Sequence, residues 1–229
     1  MSATEAPAAA AAEPAPPEPA PSFPAPVTPA PKSEPRNKMP SRPGSSPGIR
    51  KKRTSSEDLI GELFEQIHQV HFAPDLVSGA DFVLGVLRVM PCEGALIHVF
   101  DINTRQFVVV RASGPSPRNV LLHRTPDTYS LFKSLFRRGR SISFPEAAND
   151  ANFQGGRWER LGVTVKAALC GAVKQGGRYL GVIELVNPVG SAAFQETEMN
   201  ALDYICEQFA DFVASRPVVI DEDAVLPRT

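Results

Sequence analysis

Glu184 is the residue of this sequence that most demands a chemical explanation. It interrupts the apolar run Leu180-Gly181-Val182-Ile183-Glu184-Leu185-Val186. The composition of that run predicts a central strand covered on both faces. Alternation places Glu184 on the same face as Leu180, Val182 and Val186. A carboxylate moved from water into such a place must find donors or become protonated. Three outcomes are open: contact with a ligand's amine or hydroxyl, an ion pair with Arg111, or solvent at a dimer surface. A second group lies in the polar stretch after Phe144: Asp150, Asn152, Phe153 and Trp158. Asp and Asn can read the edge of a base or sugar, and Phe or Trp can stack on a ring. With Glu184 these four are the candidate ligand-binding residues. The alternative for them is a surface loop anchored by its two aromatics.

Other chemistries lack their residue patterns. His68 and His71 are three residues apart but have no acidic or cysteine partner nearby in sequence, so a metal pair is not expected. His98 alternates into a strand face and reads as a core histidine. Cys92, Cys170 and Cys206 are widely spaced, with no CxxC pair and no metal-ligand pattern. No nucleophile elbow, phosphate-binding loop or HExxH is present. The expectation is therefore no catalytic residue, no metal and no cofactor. Three sparse cysteines suit a reducing, cytoplasmic setting. The formal net charge is −1, so no global field directs the chain to nucleic acid or membrane. No apolar run approaches the ~20 residues that span a bilayer, and the N-terminus lacks a secretory pattern.

The elements that must position these residues follow from periodicity and punctuation. Residues 1–57 are dense in Pro and Ala with one aromatic, Phe23, and are expected to form a disordered arm. Pro14-Ala15-Pro16-Pro17 reads as spacer before it reads as a ligand for a proline-reading module. Arg50-Lys51-Lys52-Arg53 reads as a solvated flank. Thr54, Ser55 and Ser56 follow this basic cluster as candidate phosphorylation sites, with Ser55 and Asp58 alternatively forming a capping box. An amphipathic first helix is predicted at about 56–71 and a second after Asp75, carrying Leu76, Ala80, Val83, Leu87 and Met90. A hairpin follows (Ala95 to Phe100, Phe107 to Ala112), then a helix over Asp127 to Arg138 and a strand over Ser141 to Phe144. Residues 145–162 are irregular, with one turn of helix around Trp158. Val165 to Lys174 and Arg178 to Asn187 form a second hairpin around Gly176-Gly177. A long helix over 196–214 ends before Pro217, and 217–229 is expected to be a flexible tail. The fold class is α+β: an antiparallel sheet with its terminal helices on one face and the helix and loop of 120–164 covering the other. A pocket under that cover follows.

Ala168-Leu169-Cys170-Gly171-Ala172-Val173 and Gly181 to Asn187 resemble the last hairpin of GAF domains from cyclic-nucleotide phosphodiesterases and cyclases. The resemblance covers about 58–216. The family pattern continues as Asn-Lys, a spacer, Phe, three residues and Asp-Glu. Asn187 and Phe194 match it, Glu198 stands where Asp is usual, and Leu202 falls on a core leucine. Asp150 and Phe153 resemble residues of the family's pocket-covering segment. Pro188 replaces the lysine, so the family's lysine–carboxylate pair cannot form. Met199 replaces the final glutamate, and Gln195 stands where Thr or Ser commonly caps. The structural reading of the matches is that Asn187 ends a strand, Phe194 plugs the core and Glu198 favours the helix start. The resemblance implies a non-catalytic regulatory or sensor domain that binds a small molecule or a signalling protein. It also implies a homodimer through the first and last helices. The alternative is a ligand-free dimerisation or protein-interaction module, which Pro188 and Met199 favour. A redox enzyme of the methionine-sulfoxide reductase kind would need clustered cysteines, and this spacing does not resemble theirs.

Overall fold

Turn and cap chemistry sets the ends of each element. The computed structural model describes residues 56–226, with side chains from residue 61 onward. The expectations for the arm, the basic cluster, the Ser55–Asp58 cap and the modification sites lie outside those residues and side chains. Helix α1 spans Ser56–Ile67 and tightens into a 3-10 turn at His68–Phe72. Helix α2, Leu76–Val86, starts where extended Asp75 accepts the Ser78 N–H at 2.7 Å. Strands β1 (Cys92–Asp101) and β2 (Gln106–Ser113) are joined by a turn in which Asp101 accepts from Asn103 N and Thr104 Oγ1. After β3 (Arg124–Pro126) comes α3, Ser130–Arg138, closed by Gly139 at φ 72°. It starts later than Asp127 because Tyr129 is extended. Strand β4 (Ile142–Phe144), short helix α4 (Gly156–Leu161), β5 (Ala168–Gln175) and β6 (Arg178–Pro188) follow. Gly176 and Gly177, at φ 54° and 77°, make the tight turn between β5 and β6. Helix α5 is Glu196–Ala214 and a last turn, α6, is Glu222–Val225.

The strands form one open antiparallel sheet in the order β3-β2-β1-β6-β5-β4. The predicted hairpin thus supplies β6, paired on both sides, with β1 as its other neighbour. One face packs against α1, α2 and α5 through an all-apolar core that includes Ile67, Val83, Ile97, Ile183, Leu185, Ile205 and Phe209. The other face is covered by α3, α4 and the turns between them, around Leu96, Phe107, Phe132, Trp158, Val182 and Val186. The terminal helices meet as expected: the Phe64 and Tyr204 rings are 4.0 Å apart, and Tyr204 Oη lies 2.9 Å from His68 Nε2.

Two bulges change which way side chains face. Val173 pairs with Gly181 and Lys174 with Tyr179, so Leu180 is an extra residue in β6. Leu180 packs in the helix-side core, while Val182, Glu184 and Val186 face the cover. The shared face expected for Leu180 and Glu184 is therefore wrong by one bulge. In β2, Ile97 pairs with Arg111 and His98 with Val109, leaving Val110 extra. Arg111 is thereby turned to the helix side. There it pairs with Asp81 of α2 and donates to the Val225 carbonyl at 3.0 Å. The expected tail thus folds back over 217–226, with Val225 buried in the helix-side core.

Candidate functional site

Glu184 sits at the middle of the cover-side face, paired across the sheet with Leu96 of β1 and Cys170 of β5. It has no solvent exposure. Its carboxylate is held in a fork by Arg157 of α4, with Nε 2.8 Å from Oε2 and Nη2 2.7 Å from Oε1. His98 of β1 brings Nε2 to 2.8 Å from Oε2. Cys170 Sγ is 3.9 Å from Oε1, a weak contact. Of the pairings open from sequence, the protein uses neither Arg111 nor solvent. It uses an arginine from the cover.

The guanidinium is enclosed further. Arg157 Nη1 donates to Tyr129 Oη and Nη2 to the Asn152 carbonyl, each at 3.4 Å. Tyr129 Oη donates to the same carbonyl at 2.6 Å. The rings of Tyr129, Trp158 and Phe132 lie 5.3, 5.6 and 5.8 Å from the guanidinium carbon. These are cation–π distances, and the attraction strengthens when the cation is desolvated.

Electrostatics fix the protonation states. Burial alone pushes the Glu184 carboxyl up, but the Arg157 charge and the His98 contact outweigh it and hold the carboxyl below its ordinary range. Burial, reinforced by Arg157, pushes His98 down against the opposing pull of Glu184. His98 is therefore neutral at pH 7. Facing an ionised carboxylate it must carry its proton on Nε2, which makes Nδ1 an acceptor. That Nδ1 and the Trp158 Nε1 donor are both buried without a hydrogen-bond partner among the described residues. Burial and the Glu184 charge push the Cys170 thiol well up.

Helix α4 is held by glycines at both ends. Gly155 has φ 65° and ψ −156°, a region essentially reserved for glycine, and Gly156 has φ 56°. Gly162 closes the helix in the left-handed region at φ 81°. On the outer side of α4 lies a cavity of about 340 Å³ lined by Phe153, Gly155, Trp158, Glu159, Val163 and Val165 among others.

The structure brings some of the predicted residues together and separates others. Asp150 accepts from Asn152 N and Nδ2, both at 2.8 Å, and so shapes the turn that presents the Asn152 carbonyl to Arg157. Phe153 is buried edge-on to Phe144 at 5.0 Å. Trp158 is buried beside the guanidinium, and Glu184 is the site's centre. The motif residues stand outside it. Asn187, at φ 56°, accepts from Lys166 N and Ala167 N and donates to Glu93 and to the Thr164 carbonyl. It pins the end of the cover to the sheet. Phe194 is buried in the helix-side core. Glu198 accepts the Gln195 N–H at 2.8 Å, so this glutamate helps secure the α5 start that Gln195 alone was expected to cap poorly. Arg157, Tyr129 and the active part of His98 were missed from sequence. The available signal was that 145–162 contains two basic residues, Arg157 and Arg160, and only Arg157 adjoins the buried Trp158.

Among the described residues no group of three or more His, Cys, Asp or Glu is placed to hold a metal, and no helix is long and apolar enough to cross a membrane. Cys170 faces the cover-side core and Cys206 the helix-side core, so the sheet separates them.

No family profile matches the sequence, and no curated protein is detectably similar to it. Solved structures do match. The GAF domain of a phosphoenolpyruvate-protein phosphotransferase from Coxiella burnetii aligns at a TM-score of 0.59 and 15% identity, over 70% of this chain and 95% of that one. The GAF domain of A. aeolicus nlh2, in an inactive state, aligns at 0.54 and 16%, over 71% and 99%. Free methionine-R-sulfoxide reductase from Neisseria meningitidis, in complex with its substrate, aligns at 0.57 and 13%, over 73% and 96%. At these identities the likeness speaks for the fold, not for ligand or activity. Six antiparallel strands, terminal helices on one face and a helix-and-loop cover on the other make this a GAF-like fold.

Proposed function

We propose that this domain is a non-catalytic sensor in signalling, in which a small molecule engages the cover around Glu184 and the terminal helices α1 and α5 pass the change to a partner protein. The observation that carries the reading is the placement of a fully buried, doubly contacted carboxylate under a six-residue helix flanked by left-handed glycines. Buried ion pairs are poor devices for stability, because apolar residues of similar volume commonly do as well. A charge kept in the core is thus better explained by recognition or switching. Asp150, Asn152, Phe153 and Trp158 belong to the same reading as the wall that a ligand would displace. Two arrangements of the cover, biased by ligand, are the physical mechanism.

The non-catalytic part of the reading draws support from the thiols. Cys170 and Cys206 lie on opposite sides of the sheet, and burial raises both. A buried, protonated thiol is a poor nucleophile. The free thiols suit the cytoplasm. A second reading, a ligand-free homodimerisation module, is favoured by Phe64 and Phe72, which are 43% and 86% exposed along the first helical segment. Native mass spectrometry of freshly purified full-length protein tests the two together. A bound small molecule, lost in Glu184→Gln, supports the sensor. A ligand-free dimer disrupted by Phe72→Glu supports the module and removes the sensor.

A further inference from the structure

The group that occupies Glu184 is the chain's own guanidinium, and everything around it is suited to that group. The carboxylate meets it through two parallel N–H···O bonds at 2.7 and 2.8 Å, the geometry that distinguishes a guanidinium from an ammonium. The Asn152 carbonyl accepts from its far side. Tyr129, Phe132 and Trp158 surround it with ring faces and edges. Together they form a receptor for a planar cation, built of a strand residue and of cover residues.

The element that delivers the guanidinium is short and bounded by glycines, and it is anchored through the buried side chains of Trp158 and Leu161. Helix α4 has six residues, too few to hold helix by itself. Gly155, Gly156 and Gly162 bound it, and glycine passes between backbone regions that other residues do not share. Nor does the closed arrangement use all its polar atoms, since His98 Nδ1 and Trp158 Nε1 find no partner among the described residues.

We infer that Arg157 is an internal surrogate ligand, and that the Glu184 receptor binds a small guanidinium-bearing molecule when α4 swings Arg157 out of the site. This rests on the sensor reading and names its ligand class. The incoming group is a guanidinium on a short chain, chemically like the side chain it replaces, with a further donor or acceptor available for His98 Nδ1 or Trp158 Nε1. Arg157 then competes with the ligand. If the closed state is favoured about 100:1, the apparent affinity is about 100-fold below the intrinsic one. Removing Arg157 returns that factor.

Trp158 is the chain's single tryptophan, so its emission reports on this site alone. The experiment titrates full-length wild type and Arg157→Ala with methylguanidine and with agmatine. Methylammonium and putrescine serve as cations without the fork. The expected result is saturable change in Trp158 emission and a raised Tm. Arg157→Ala should bind methylguanidine at least about tenfold tighter than wild type. The effect should vanish in Arg157→Ala/Glu184→Gln. Should Arg157→Ala not fold, Arg157→Lys replaces it. A lysine keeps the charge but not the fork, so methylguanidine should still bind more tightly than to wild type. Equal responses to methylguanidine and methylammonium overturn the inference. So does an absence of saturable change in the folded variant. A co-purifying ligand that lacks a guanidinium or amidinium yet depends on Glu184 also overturns it, while leaving the sensor reading in place.

Discussion

The two faces of one sheet are built on opposite principles. On the helix side, α1, α2 and α5 lay apolar stripes on Ile97, Ile183 and Leu185, and the buried charged pair among the described residues, Arg157 and Glu184, lies on the other face. Close approach is built in: a Cβ at Gly79 would overlap the Phe212 ring, so glycine lets α2 and α5 meet. On the cover side, the nine-residue α3, the six-residue α4 and several 3-10 turns enclose a carboxylate, a guanidinium and an imidazole. Long helices with continuous stripes give cooperative stability. Short pieces joined by glycines open at lower cost. The difference teaches that one sheet can carry a purely apolar layer on one face and a layer built around a buried ion pair on the other.

Removing a single member of the buried pair should give the largest effect. Arg157→Ala or Glu184→Ala each strands an uncompensated charge and should cost about 3–5 kcal/mol in urea unfolding. Phe209→Ala, in the helix-side core, should cost a similar amount, about 3–5 kcal/mol, by leaving a cavity. The faces then differ in rescue. The double variant Glu184→Leu/Arg157→Met replaces the pair with apolar volume and should recover most of the loss, because the charges leave together. A double variant no more stable than the singles would break the comparison. The cover would then depend on its native packing as strictly as the helix side does.

The next effect concerns the hinge. Gly155→Ala forces a side chain into a backbone region held almost only by glycine and should cost about 1–3 kcal/mol. Its signature should be local: altered Trp158 emission and faster amide exchange over 145–162, with α5 protection unchanged. Exchange that rises equally on both faces would show that the cover does not open on its own.

What could be read from sequence follows the same division. The helix side is strongly periodic, so α1, α2 and α5 were legible, and Gly176-Gly177 marked the central hairpin. Glu184 announced itself because a charge in a buried strand breaks a pattern. Its partner could not be found this way. Arg157 comes from a polar, aperiodic stretch where neither the 3.6 nor the 2.0 period assigns a face. The bulges at Val110 and Leu180 carry no glycine or proline of their own, yet each reverses the facing of its neighbours. That reversal sent Arg111 to Asp81 and left Glu184 to the cover.

Acid should find the cover first. His98 is held below its ordinary pKa by burial, with Arg157 adding to the effect, so the folded protein binds fewer protons than the unfolded chain below about pH 6.5. Glu184 is likewise held low despite burial, by Arg157 and His98, and adds to the loss below about pH 4.3. Both signs agree: stability falls as pH falls, by at most about 1.4 kcal/mol per pH unit for each group. His98→Gln should reduce the slope between pH 7 and 5, leaving the part contributed by the half-buried His123, which burial also holds low. An unchanged slope in that variant would mean that His98 takes up its proton alike in the folded and unfolded states.

The smallest effect tests the helix side by itself. Asp75 caps α2 through the Ser78 N–H at 2.7 Å and is exposed, far in character from any buried charge. That contact lowers its carboxyl, despite a small opposing contribution from burial. Asp75→Ala leaves the amide to water and should cost about 1 kcal/mol, whereas Asp75→Asn keeps an acceptor and should cost less. Because α2 and α4 pack on opposite faces of the sheet, Trp158 emission and any guanidinium response should be the same in both variants. A cap lost on α2 that loosened Trp158 would tie the two layers together through the sheet and erase the independence on which the contrast depends.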